Sequence, residues 1–232
     1  MGIPRYIEIH NEIRERIAAG EWQTNNRLPA ERDLAETFHV SRMTLRQAIQ
    51  TLVDEGILER KVGSGTYVAE KKVSERALGV TSFTELMKQA GRTPQSITVS
   101  YKITMPSASE MGRLKLKADD EVLVMERLRL GDDEPILLEQ TTLPVKLVNN
   151  FTRSELTDSL YATLIKAGIQ PGHAEQTVTA SLATERQADF LQIKRGDAIL
   201  SVRQVSYDQN DQPFEYVRSY YVGDRFEFKL MR

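Results

Sequence analysis

Arg42 and Arg46 stand four residues apart in the stretch SRMTLRQAIQTL, with Thr44 between them and Gln47 beside the second, and no acid interrupts the run. On a helix, residues at that spacing are surface neighbours. Arginine can clasp guanine through two parallel hydrogen bonds, while threonine and glutamine can serve base edges or phosphates. Ser41 is a good helix N-cap, and with the unpaired amides of a first helical turn it can meet a phosphate oxygen. Downstream, KVGSGT places Lys61 and Thr66 around Gly63 and Gly65. The glycines let backbone approach a groove closely, and Lys61 and Thr66 can hold phosphate. Together these residue types describe duplex DNA as the partner. Arg32 falls in the segment just ahead of them and faces the same way in this reading.

A second set suits a small anion. Ser82-Phe83-Thr84-Glu85 has the capping-box pattern, so the amides of Phe83 and Thr84 can point at an anion from a helix start. Arg127 and Arg129, two apart, share one face of a strand, and guanidinium forks suit phosphate or carboxylate. Asp132 and Asp133 in the following turn are alternative partners for them. Ser159 and Tyr161, opening another helix, offer hydroxyl donors. Glu139, Glu215 and Tyr221 add acceptors and a flat polar ring, which suits hydroxyls or an amino-sugar nitrogen.

The elements that must position these residues can be read from periodicity. Pro4 suits a first helical turn, Tyr6, Ile9, Ile13 and Ile17 recur at near-helical spacing, and Gly20 stops the run. AERDLAETF carries a short apolar stripe in Leu34, Ala35 and Phe38. Leu45, Ala48, Ile49 and Leu52 then form one buried face of a third helix, opposite Arg42 and Arg46. Only His39 and Val40 separate the second helix from Ser41, a spacing that forces a helix-turn-helix. ILERKVGSGTYVAE reads as two short strands, a wing. The winged helix-turn-helix domain is therefore expected over residues 1–69. The polar EKKVSERAL fits a linker over 70–78, and 79–232 an effector-binding and dimerisation domain. Its β-rich runs are SITVSYKIT, EVLVMERLRL, PILLEQTTLP, AEQTVTASLA, AILSVRQVSYD, FEYVRSYYV and FEFKL. Helical stretches near 83–90, 107–115, 153–167 and 184–192 break them up, which predicts an α+β domain with a mostly antiparallel sheet.

Composition narrows the alternatives. The 232 residues are 40% hydrophobic and 28% charged, the balance of an ordinary globular protein. Cysteine is absent, which excludes a disulfide framework, thiolate zinc sites and a cysteine nucleophile, and fits a reducing compartment, the cytoplasm. The first residues lack the apolar core of a signal peptide, and no stretch reaches the ~20 apolar residues of a membrane span, so neither secretion nor insertion is expected. Net charge is −2. Residues 1–70 hold nine Lys/Arg against eleven Asp/Glu, so contact with phosphate must depend on where charges sit, not on a basic field. Arg32, Arg42, Arg46, Arg60 and Lys61 fall in the DNA-facing segments, and Glu8, Glu12, Glu15 and Glu21 lie elsewhere.

LPAERDLAETFHVSRMTLRQAIQTLVDEGILERKVGSGTYV resembles the N-terminal signature of the GntR family of bacterial regulators nearly residue for residue. The resemblance implies DNA contacts from Arg32, Ser41, Arg42, Thr44, Arg46, Gln47, Lys61, Gly63, Gly65 and Thr66. Where that family commonly has Gly, this chain has His39, so a strained turn is expected. VTSFTELM, the Arg127-x-Arg129 strand, Pro135 to Glu139 and FEYVRSYYVGDRFEF are similar to the UTRA ligand-binding domain of HutC-type members, a domain with the chorismate-lyase fold. Members sensing glucosamine 6-phosphate and N-acetylglucosamine 6-phosphate match Thr81, Ser82, Phe83, Arg127, Arg129, Ser159 and Tyr161 on the phosphate side. Glu139, His173, Glu215 and Tyr221 match the sugar side, with His173 in place of the usual Arg.

The expected protein is a repressor of amino-sugar utilisation genes, without cofactor or metal. It would bind palindromic operator DNA as a homodimer and be released by a sugar phosphate. Two alternatives remain open: the same regulator sensing another sugar phosphate or a carboxylic metabolite, and an enzyme of the chorismate-lyase fold. The three scattered histidines and the lack of a nucleophile motif or nucleotide loop give the enzyme no support.

Overall fold

The computed structural model describes residues 4–70, 72–76, 82–158 and 160–229. Thr81 and Ser159, both assigned above to an anion site, lie outside the described residues. The chain divides into two compact units, Met1–Lys71 and Lys72–Arg232.

In the first unit, α1 (Arg5–Ala18), α2 (Glu31–Thr37) and α3 (Arg42–Asp54) precede a hairpin of β1 (Leu58–Lys61) and β2 (Gly65–Val68). Ile9 and Ile13 from α1, Leu34 and Ala35 from α2, and Leu45, Ala48, Ile49 and Leu52 from α3 close one core with Leu58 and Val68 of the hairpin. Burying that many aliphatic side chains, each worth about 1.5–3 kcal/mol, fixes which face of α3 is left outward. His39 joins α2 to α3 at φ +52°, the left-handed region, where a side chain is strained.

In the second unit, β3 (Val73–Arg76) and α4 (Phe83–Gln89) precede β4 (Pro94–Thr104) and α5 (Ala108–Leu114). β5 (Val122–Gly131), β6 (Glu134–Pro144), α6 (Val145–Val148), α7 (Arg153–Asp158) and α8 (Leu160–Lys166) follow. The chain ends with β7 (Pro171–Leu182), α9 (Glu185–Leu191), β8 (Ala198–Asp208), β9 (Pro213–Val222) and β10 (Phe226–Lys229). Six strands form one antiparallel sheet in the order β4-β5-β6-β9-β8-β7. β10 and β3 make a separate parallel pair, with Phe226 opposite Val73.

The β3 pairing differs from the linker expected over 70–78. VSER has too little periodicity to announce a strand, and the partner that makes it one lies about 150 residues away in sequence, invisible to local reading.

Alternation along the strands sorts the sheet into two faces. Leu123 and Met125 pack with Val148, Leu156, Leu160 and Leu164 beneath α6, α7 and α8. Leu128, Leu130 and Leu138 pack with Ala188 and Leu191 of α9. Arg127 and Arg129 continue the odd-numbered face of β5, so the pleat carries them toward α4 and α8.

Candidate DNA-reading surface and effector cavity

On α3, Ser41 caps the helix by accepting from the Thr44 amide at 3.1 Å, and its hydroxyl lies 2.9 Å from Thr44 Oγ1. Arg42, Arg46 and Gln47 are exposed on the face opposite the core, and Thr44 is half-buried. The geometry places four of the sequence-derived contact residues on one outward strip. Arg32 is also exposed and pairs with Asp33 at 3.2 Å. In the wing, Lys61 pairs with Glu59 at 2.8 Å and its ammonium stands 4.7 Å over the Tyr67 ring. Gly63 has φ +73° and Gly65 φ +135°, and a Cβ on Gly65 would come within 2.8 Å of Arg27 Nε. Thr66 stands opposite Arg60 in the hairpin.

One acid, on which the sequence carried no expectation, stands among these donors. Glu31, the first residue of α2, accepts from Arg46 Nε and Nη2 at 3.2 and 3.1 Å through Oε2, and from Arg60 at 3.3 Å through Oε1. The domain's acids therefore do not all lie away from its donors. The signal was present, since Glu31 adjoins Arg32, but the meeting of α2, α3 and β1 is tertiary.

In the second unit, a cavity of about 480 Å³ opens between the sheet, α4 and α8. Ser82 and Phe83 of α4, Arg127 and Arg129 of β5, Glu139 of β6, Tyr161 of α8, and Glu215 and Tyr221 of β9 all line it. Register explains the meeting: Arg127 stands opposite Glu139, Arg129 opposite Leu137, and Glu139 opposite Ser219. Ser82 forms a full capping box with Glu85, so its hydroxyl is committed to the helix end while the residue still borders the cavity.

The two arginines converge on one carboxylate. Arg127 Nη2 pairs with Glu139 Oε1, and Arg129 reaches the same oxygen through Nε and Nη2, both at 2.9 Å. Asp132 and Asp133 are instead engaged with the Thr93 amide and the Gln95 side chain. Burial pushes the Glu139 carboxyl up, but the charges of Arg127 and Arg129 outweigh this and hold it below the ordinary carboxylate range. Arg127 is only 2% exposed. Burial pushes its pKa down to about 10, with Glu139 opposing and Arg129 adding to the fall, so it stays charged at neutral pH. Its Nε and Nη1 are buried without a hydrogen-bond partner among the described residues.

Glu215 behaves differently from Glu139. It is 2% exposed and its Oε2 accepts from Tyr161 at 2.6 Å and Ser206 at 2.9 Å. Burial pushes its pKa up, and the nearby Glu139 charge adds to this against the two hydroxyl donors and Arg127. Tyr161 is raised well above the ordinary tyrosine range, by burial first and then by Glu215. The cavity thus gathers two arginines about one carboxylate held below its ordinary range, with Glu215 shifted upward and Glu85 committed to the α4 capping box.

His173 is placed elsewhere. It stacks on Tyr207 at 4.6 Å with rings 4° apart, lies 3.5 Å from Asp211, and is not among the cavity's lining residues. His173 lies within the stretch, between Pro171 and Ala174, where the register of β7 and β8 shifts. Gln204 and Ser219 line the cavity and, with Ser206 behind Glu215, were not among the residues expected to form the site. The one signal was Gln204 and Ser206 interrupting an apolar strand at a spacing of two.

Comparison with known proteins agrees with this division. Residues 5–68 match the family described as bacterial regulatory proteins, gntR family, and residues 89–227 match the UTRA domain. HTH-type transcriptional repressor NagR of Bacillus subtilis (strain 168) is 35% identical over 227 residues, covering 97% of this chain and 93% of that protein. The mannosyl-D-glycerate transport/metabolism system repressor MngR of Escherichia coli (strain K12) is 31% identical, covering 98% and 95%. The crystal structure of PhnF from Mycobacterium smegmatis superposes with TM-score 0.75 at 30% identity, covering 96% of this chain and 98% of that one. The chain belongs to the GntR family of bacterial transcriptional regulators, in its HutC-type branch with a UTRA domain. It is a repressor of that type: a helix-turn-helix that binds DNA joined to a domain that takes a small-molecule effector. Its relatives are regulators, not enzymes.

Proposed function

We propose that this repressor controls carbohydrate utilisation genes, those for amino sugars in particular. In this reading it acts in the cytoplasm, binds a palindromic operator as a homodimer, and leaves when glucosamine 6-phosphate or N-acetylglucosamine 6-phosphate fills the cavity. The carrying observation is Arg127, a buried cation beside the cavity with two donor atoms that have no hydrogen-bond partner among the described residues. Buried polar groups are nearly always satisfied, so such donors mark the place of a missing acceptor. A phosphate dianion supplies acceptors for those N–H groups, and hydrogen bonds between a guanidinium and a phosphate are among the strong ones. Glu139, Glu215 and Tyr221 line the same cavity and suit the hydroxyls and nitrogen of an amino sugar. That MngR is a repressor of mannosyl-D-glycerate transport and metabolism supports a sugar-related role.

DNA contacts are assigned to Arg32, Ser41, Arg42, Thr44, Arg46, Gln47, Lys61, Gly63, Gly65 and Thr66. One reading unit contacts few base pairs, and two-fold pairing on a palindrome doubles that number. The effector must bind one arrangement of the dimer better than another, since equal affinity would leave operator binding unchanged. A thermal-shift series with the two amino-sugar phosphates, glucose 6-phosphate, a carboxylic metabolite and inorganic phosphate tests the assignment. The matching ligand at 100 times its Kd should stabilise the chain by ~2.7 kcal/mol. Stabilisation by the carboxylic metabolite alone, or by none of the sugar phosphates, would refute it.

A further inference from the structure

Glu31 occupies an unexpected place for an acid. Its two oxygens take Arg46, on the outward strip of α3, and Arg60, on the first wing strand, while Arg60 Nη1 reaches Gln50 Oε1 at 2.9 Å. The side chains of Arg46 and Arg60 remain 58% and 37% exposed. Ion pairs this open contribute little to stability, so holding the fold together does not explain the arrangement.

Its effect on DNA binding is larger. A duplex phosphate competes with Glu31 for the same guanidinium, and exchanging one anion for another yields little. A guanine edge, by contrast, can take the guanidinium N–H groups that Glu31 leaves over, with the carboxylate still holding the fork in orientation. The carboxylate thus weakens contacts made through charge alone more than contacts made to bases. Charge contacts supply essentially all of non-specific binding.

We propose that Glu31 is a selectivity residue: a built-in rival for phosphate that suppresses binding to non-operator DNA and orients Arg46 for base contact. The inference rests on the reading that Arg46 faces DNA. Its test uses the full chain, a duplex recovered by repeated selection from a random pool with that chain, and a scrambled duplex of equal length. Glu31→Gln should tighten binding to the scrambled duplex about two- to tenfold, the worth of two exposed ion pairs. Its salt dependence should steepen by about one in log–log slope for each further phosphate that the freed guanidinium groups neutralise. Affinity for the selected duplex should rise less, so the ratio between the two narrows. An unchanged or widened ratio would overturn the proposal. Glu31→Asp keeps the first-turn charge of α2 but shortens the reach, so it should shift the ratio the same way in a chain certain to keep its helix. Arg46→Ala, run alongside, should lose affinity for the selected duplex. If Arg46→Ala binds like the parent, the DNA-facing reading fails and the proposal with it; if it loses affinity while both Glu31 variants keep the parental ratio, only the proposal fails.

Discussion

Arg127, Arg129 and Glu139 show how one shared oxygen changes the meaning of a pair of arginines. Removing both cations would strand Glu139, buried and unpaired, at a cost of about 3–5 kcal/mol, so a double alanine variant would report folding and not sensing. Arg127→Gln is cleaner, because Arg129 and its 2.9 Å contacts with Glu139 remain. It should leave DNA binding intact while weakening sugar-phosphate affinity by about 1.5–3 kcal/mol, the worth of hydrogen bonds to a charged group, as read by calorimetric titration. Glu215 yields a pH prediction. Because burial raises its pKa in the folded state, the folded chain holds a proton that the unfolded chain releases near the ordinary value of about 4.3. Stability from this group is therefore present in acid and lost as pH rises from that value through the folded pKa. Glu215→Gln keeps a carbonyl acceptor for Tyr161 and Ser206 without the charge. The ligand-free variant should melt higher than the parent at neutral pH, with the gain shrinking toward pH 4, as followed by thermal unfolding across pH.

At the scale of elements, the turn between α2 and α3 and the tip of the wing carry the backbone strain most relevant to DNA reading. His39 at φ +52° occupies a conformation that costs a side-chain-bearing residue about 1–2 kcal/mol. Glycine recovers this but spends more entropy on folding, about 0.5–1 kcal/mol. His39→Gly should therefore stabilise the chain by roughly 0.5 kcal/mol, visible as a shifted denaturant midpoint with unchanged slope. Gly65→Ala should act in the opposite sense. Its φ of +135° is hostile to any Cβ, and the new atom would meet Arg27. A loss of about 1–3 kcal/mol together with weaker DNA binding is expected, checked by unfolding and fluorescence anisotropy. The departure at His39 was legible from the missing glycine alone. The β3 strand was not, because its only argument is Phe226 and its neighbours arriving alongside.

Across the whole molecule, the reading unit and the sensing unit have separate cores, so a change in one need not unfold the other. The proposed homodimer predicts a sedimentation mass of twice the 26.4 kDa chain, together with a two-fold symmetric footprint on selected DNA. A monomer at concentrations where the operator is bound would remove the basis for a palindrome.

Taken by itself, the sequence determined the winged helix-turn-helix, the outward strip of α3 and the antiparallel character of the second domain. Those follow from local periodicity, caps and turns, which short stretches of chain specify on their own. It also flagged Arg127, Arg129, Glu139 and Glu215 as chemistry-bearing. Tertiary structure alone decided that the arginines answer Glu139 and not Asp132 or Asp133, that His173 stacks on Tyr207 outside the cavity, and that Glu31 reaches Arg46 and Arg60. Each of those outcomes depends on strand register or on helices meeting across a core, where partners far apart in the chain are chosen by packing.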